Sequence, residues 1–327
     1  MAYTNGYSKE EQKALAIGKV EKALTKASTD VVDVFATKDE FSKYLAFAAR
    51  FHYFDVNNTL LIYKQRPNAT FLAPFKAWEK YSLDAWGDST RLVFPSDQKG
   101  KGIGILAPYI LKKSVVDPAA NRNKIISYFD YHVVFLFDKA QTNNIPAPVL
   151  AWDISSNSQD SAALFSALSE SAPFTICFSN DITGSKKYLY EPAKSNHSRG
   201  KMKLRQEDAS DFYTLCSHIM SLYVKSSLEN VQTKHSEDNY RKVCECVGFM
   251  LASYFGLPTD DYSLFFVKLW GDNNPEKMMA ILNTVQMSAH KLINTLEEKM
   301  VFYKSINGGD DIYDNDSVFE FENFYDL

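Results

Sequence analysis

Between Glu237 and Phe255 the chain carries Val243, Val247, Phe249, Met250, Leu251 and Tyr254, which a helical pitch spreads over nearly every face. A helix that is apolar all round folds only where other elements enclose it. The C-terminal half must therefore build a mainly helical domain about this segment, and Gly256 supplies its stop. Two further long helical patterns flank it, near Glu207–Ser227 and Pro275–Lys304, with a shorter one near Ala162–Leu168. Strand-like pieces at Phe174–Phe178 and Lys187–Tyr190 complete the half.

The N-terminal half has a different order. Ser8 with Glu11, and Thr37 with Glu40, have capping-box spacing. Behind them Ala16, Val20, Ala23, Leu24 and Ala27, then Phe41, Tyr44, Leu45 and Ala48, recur on helical faces. A third helix is predicted from Asn57 to Arg66, ending at Pro67. Runs rich in Ile, Val, Tyr and Phe follow at Arg91–Phe94, Gly102–Leu111 and Ser127–Phe137 and read as strands. The fold class is α+β: N-terminal helices with a small antiparallel sheet over 1–142, a linker at 143–160 holding Pro146, Pro148 and a Ser/Asn cluster, and a mainly helical domain over 161–307.

Hydrophobic residues make up 45% of the 327, enough for two cores. No run approaches the roughly 18 apolar residues that span a bilayer, and no membrane partner is expected. The stretch Met1–Glu10 is polar, without an apolar signal region, and Cys177, Cys216, Cys244 and Cys246 show no framework spacing. Both features predict a cytoplasmic protein with reduced thiols. The net charge of −4 is unevenly placed: residues 310–327 hold seven acids and no base, so 1–309 carry +3. Bulk charge therefore leaves a polyanionic partner open.

The ordered set Phe51-His52-Tyr53-Phe54-Asp55-Val56-Asn57-Asn58, Leu60-Leu61-Ile62, Gln65, Pro67, Ala69-Thr70, Trp78, Gly102-Ile103-Gly104-Ile105-Leu106-Ala107-Pro108, Phe137-Asp138 and Gln141-Thr142 resembles the N-terminal domain of the ArdC/LtrC-like family. Gly256-Leu257, Thr259, Asp261-Tyr262-Ser263 and Trp270 are similar to the C-terminal region of the same proteins. The resemblance implies a single-stranded-DNA-binding domain fused to a domain of zinc-metallopeptidase fold, in proteins of plasmids and conjugative elements. Some members protect incoming DNA from host defence, an antirestriction role.

A strand binder needs cations along a groove and rings on which bases stack. The candidate cations are Lys99, Lys101, Lys112 and Lys113, with a second basic stretch at Lys186, Lys187, Lys194, Arg199, Lys201 and Lys203. Tyr53, Phe54, Tyr63, Phe71, Trp78 and Tyr109 are candidate rings, and Asn57, Asn58 and Gln65 candidate polar contacts. Each has an alternative use: rings build cores, asparagines cap helices, and lysines protect sheet edges.

The family's H-E-x-x-H places two histidines one helical turn apart around a catalytic glutamate. The matching helix reads Thr214-Leu215-Cys216-Ser217-His218-Ile219-Met220-Ser221-Leu222. By that register Ser217 and Ser221 stand at the ligand positions and His218 at the glutamate position, with Glu245 left from the third. Serine hydroxyls are poor zinc ligands. The chain is therefore expected to be a non-catalytic pseudoenzyme without metal or cofactor, with His218 partnering Glu245. A thiolate site from Cys216, His218, Cys244 and Cys246 is geometrically awkward, because Cys-x-Cys on a helix aims its thiols about 200° apart. No P-loop, G-x-S-x-G or relaxase histidine cluster is present.

Residues 310–327 alternate acids with Ile312, Tyr313, Val318, Phe319, Phe321, Phe324 and Tyr325 behind Gly308-Gly309. This suits a solubilising end, a docking peptide for a host defence or conjugation protein, or a DNA mimic that folds back. The expected function is non-catalytic binding of a mobile element's single-stranded DNA, during transfer or to shield it. The alternative is a protein inhibitor that binds a host defence nuclease through the pseudo-peptidase domain and the tail.

Overall fold

The computed structural model describes residues 9–87, 101–117, 122–142, 152, 154, 158–184, 186–195, 198–229, 237–264, 267–270 and 272–306. The strand expected at Arg91–Phe94, Lys99, most of the junction and the acidic tail lie outside the described residues. The described residues fall into two compact units, 9–31 with 56–142 and 32–55 with 152–306. Among them no helix is long and apolar enough to cross a membrane.

The first unit contains most of α1 (Lys9–Val34), α3 (Val56–Gln65), β1 (Leu72–Pro74), α4 (Phe75–Trp86), β2 (Ile103–Asp117) and β3 (Arg122–Asp138). Its sheet is antiparallel in the order β1-β3-β2, with Leu72 opposite Asp138 and Ile103 opposite Leu136. Both long strands outrun the predicted runs, and they pair from Ile103/Leu136 out to Asp117/Arg122. Among the described strands β1 covers only the base of β3, so the outer part is a two-stranded ribbon. The core at its base is Phe71, Ala73 and Trp78, with Ala77, Tyr81 and Phe137 packed against it.

The second unit contains α2 (Lys38–Arg50), α5 (Gln159–Ser171), β4 (Phe174–Ser179), β5 (Tyr188–Glu191), β6 (Gly200–Arg205), α6 (Phe212–Ser227), α7 (Glu237–Tyr254), α8 (Val267–Trp270) and α9 (Pro275–Ile306). Thr37 caps α2 by accepting from the Glu40 N–H at 3.1 Å. Sequence reading places α2 with the N-terminal domain. Instead it packs on α7 and buries Phe41, Tyr44, Leu45, Phe47, Ala48 and Ala49 in the second unit, because α7 needs cover on every side. The α7 residues Val243, Val247, Phe249, Met250 and Leu251 are all buried. Gly256 takes the left-handed φ of +69° that ends this segment, as a glycine can without strain. Gly248 is fixed by contact: a Cβ there would meet the Tyr262 ring at 2.6 Å. The sheet runs β4-β6-β5, with β4 parallel and β5 antiparallel to β6. β6 lies within the second basic stretch, beyond the strand expected at Lys187–Tyr190.

Candidate nucleic-acid interface

The signature residues of the first unit form its scaffold. On α3, Asn58 and Gln65 share a face. The Asn58 amide donates to the Leu106 carbonyl at 2.8 Å and accepts from its N–H at 2.7 Å. Gln65 does the same for Gly104, at 2.9 and 3.0 Å. Two side-chain amides thus pair the β2 edge, which no described strand covers, and satisfy groups that would otherwise be orphaned.

Asp138, also buried, accepts from Arg66 Nε at 2.9 Å, the Thr70 N–H at 3.0 Å and the Phe71 N–H at 3.2 Å. Gln141 accepts from the Asp138 N–H and donates to the Lys101 carbonyl, each at 2.9 Å. Trp78 is fully enclosed and donates its indole N–H to the Phe137 carbonyl at 2.9 Å.

These placements correct the expected contact set. Asn58, Tyr63 and Trp78 are buried, so none offers an edge or ring to a strand of DNA. Phe54 and Phe71 are buried as well, and Tyr109 donates to Asp130 at 3.0 Å. Asn57 is half-buried in the first turn of α3. Lys101 and Lys112 are exposed, Gln65 is exposed but committed to Gly104, and only the backbone of Lys113 is described.

The ribbon carries an exposed apolar surface. Antiparallel register places directly opposed residues on one face. Gly104 opposes Phe135, Pro108 opposes Tyr131 and Lys112 opposes Ser127, and alternation brings these pairs and Ile110 to the same side. On that side Ile110 is 60%, Phe135 57% and Tyr131 44% exposed. Gly102 and Gly104 make room for the ring: a Cβ at Gly102 would meet Phe135 Cβ at 3.0 Å, and one at Gly104 would meet Phe135 Cε1 at 3.6 Å. Tyr128 and Ile126 are exposed on the opposite side. None of these ring positions was singled out from sequence. The signal was there, in the alternation of Phe129, Tyr131, Val133 and Phe135, yet rings in a strand read equally as core until its partner strand and cover are known.

In the second unit the expected His218–Glu245 pair does not form. His218 lies on the side of α6 that faces the 3-10 turn Glu207–Ser210, its Nδ1 3.8 Å from Asp208 Oδ2. Burial lowers its pKa, opposed by Asp208 and Asp261 and assisted by Lys187 and Arg205. Ser217, Ser221 and Glu245 are half-buried. Among the described residues no group of three His, Cys, Asp or Glu could hold a metal. Burial also pushes the thiols up, Cys216 to about 12 and Cys244 to about 11, so both stay protonated at neutral pH.

Lys186 and Lys187 are exposed, and Lys187 pairs with Asp261 at 2.6 Å. Lys203 pairs with Glu191 at 2.5 Å, and Arg199 donates to the Ser169 carbonyl at 3.2 Å. Part of this basic stretch is therefore spent within its own unit.

A histidine pair, with His52 buried and His290 half-buried, is a further titratable feature of the second unit. His52 Nδ1 lies 3.0 Å from His290 Nδ1, and His290 Nε2 meets Asn294 at 3.2 Å. His52 stacks edge-on against Tyr254, whose hydroxyl donates to Glu297 at 2.5 Å, and Trp152 donates to the same oxygen at 3.1 Å. Burial, with His290 beside it, drives His52 down to about 3; burial lowers His290 also. In this window the unfolded chain binds protons that the folded pair refuses, so stability is complete above about pH 6.5 and falls as pH drops toward 3. The expected slope reaches about 1.4 kcal/mol per pH unit for each histidine. Glu297, raised by burial, acts with the opposite sign above its unfolded value. Denaturation between pH 7 and 4 should therefore give a flatter profile for His52→Asn than for wild type; parallel profiles would refute the assignment.

No protein-family profile matches the chain, and no curated protein matches it in sequence. Among solved structures it is similar to the metal-free crystal structure of the antirestriction protein ArdC from plasmid R388, at 14% identity and a TM-score of 0.43, over 75% of this chain and 85% of that one. The Mn(II)-bound structure of that protein is similar at 14% identity and a TM-score of 0.39, over 75% and 83%.

Proposed function

We propose that this chain is a non-catalytic, cytoplasmic single-stranded-DNA-binding protein of a mobile element, with an antirestriction-like role in shielding or assisting transferred DNA. The observation that supports it is the outer face of the β2–β3 ribbon, where Ile110, Tyr131 and Phe135 are exposed beside Lys112. Ring faces there can stack on bases, each stack worth about 1–3 kcal/mol, while duplex DNA keeps its bases to itself. From Ile110 to Tyr128 the sequence holds Lys112, Lys113, Arg122 and Lys124 against Asp117 alone, a balance suited to phosphates. Lys101 is a further exposed cation of the same unit for the backbone; on the second unit, considered by itself, Lys186 is exposed and Lys187 pairs with Asp261. The sequence resemblance to the ArdC/LtrC-like family supports the same reading.

Fluorescence anisotropy with labelled single-stranded and duplex oligonucleotides tests it. Single strands should bind more tightly, with log affinity falling against log salt by roughly 0.7 per phosphate neutralised. Equal affinity for duplex, or no binding at low salt, would reject the reading and turn attention to a host protein target.

A further inference from the structure

We propose that the acidic, aromatic segment 310–327 competes with DNA for the ribbon face of Ile110, Tyr131 and Phe135, so that the chain masks its own binding surface. This inference rests on the DNA-binding reading of that face. The ribbon presents exposed apolar side chains beside Lys112, in a region with four bases and one acid. Its occupant must therefore supply both rings and negative charge.

Residues 310–327 supply both. The sequence Phe319-Glu320-Phe321-Glu322 alternates ring and carboxylate, and Phe324, Tyr325 and Asp326 follow. In an extended chain, successive side chains point to opposite faces. Laid out so, Phe319 and Phe321 take one side and Glu320 and Glu322 the other, as bases and phosphates do along a single strand. Seven acids alone would make a solvating tail; the eight large apolar residues among them require a surface to cover. Residues 307–327 span roughly 70 Å when extended, so length does not confine them to the end of α9.

Tethering makes even a weak contact effective. A segment held at an effective concentration of about 1 mM, with an intrinsic Kd of about 0.1 mM, lowers apparent DNA affinity about tenfold. The substitutions Phe319→Ser, Phe321→Ser and Phe324→Ser in the full chain remove the rings and leave the charge unchanged, which separates docking from plain repulsion of DNA.

The experiment compares this variant with wild type for binding of a labelled single-stranded oligonucleotide. In parallel, a labelled peptide of residues 310–327 is titrated with the variant. About tenfold tighter DNA binding, with peptide binding that Phe135→Ala weakens, is the expected result. Unchanged DNA affinity overturns the inference whether or not the peptide binds, and leaves the DNA reading intact. If neither form binds DNA, that reading fails by itself. In that case peptide binding sensitive to Phe135→Ala supports the contact, and no peptide binding overturns it.

Discussion

Asp138→Ala is expected to cost about 3–5 kcal/mol, among the largest losses any single change in the first unit would produce. The carboxylate is nearly inaccessible and gathers Arg66, the Thr70 N–H and the Phe71 N–H at the point where β3 ends and β1 begins. Arg66 is 28% exposed and can turn to water, so the cost falls mainly on the backbone donors, each losing a charge-assisted bond worth about 1.5–3 kcal/mol. Asp138→Asn keeps an acceptor of the same size and should fall between the two. Chemical denaturation, with hydrogen exchange at β3 as a local probe, measures the loss. An alanine variant within about 0.5 kcal/mol of wild type would mean that this network does not hold the sheet base.

Asn58→Leu is the second large effect, at about 2–5 kcal/mol. It fits the volume but abandons the buried N–H and C=O of Leu106, each costing about 1–3 kcal/mol when left without a partner. Gln65→Leu removes the same pair of bonds from Gly104, where the side chain is exposed. Water can replace it there, so the expected cost is below about 1 kcal/mol. Comparable losses from the two variants, by equilibrium denaturation, would show that burial does not set the difference.

These two residues also mark what the sequence could tell. Helices α2, α3, α6, α7 and α9 are legible because capping residues, Pro67, Gly256 and apolar periodicity are local signals. The strands are legible as runs of β-branched and aromatic residues, but their pairing is not. Whether Trp78 or Phe135 is covered depends on which element lies over it, and that is a non-local fact. Asn58, Gln65 and Trp78, conspicuous in sequence, prove to hold the sheet together; Tyr131 and Phe135, overlooked, face outward. A buried amide clamp and an exposed recognition amide use the same residue types, so only the register of α3 against β2 separates them. His218 is a similar case: the family resemblance implies Glu245 at the third ligand position and hence as a partner, and the turn that brings Asp208 within 3.8 Å is invisible to periodicity.

The proposed function rests on single-strand binding by the outer ribbon face. Its most direct test is the affinity of the full-length double variant Tyr131→Ala, Phe135→Ala for a labelled single-stranded oligonucleotide, beside its denaturation curve. Two stacked rings predict a loss of about 25-fold or more, with stability close to wild type because both side chains are exposed. A double variant that folds normally and binds with wild-type affinity would contradict the claim.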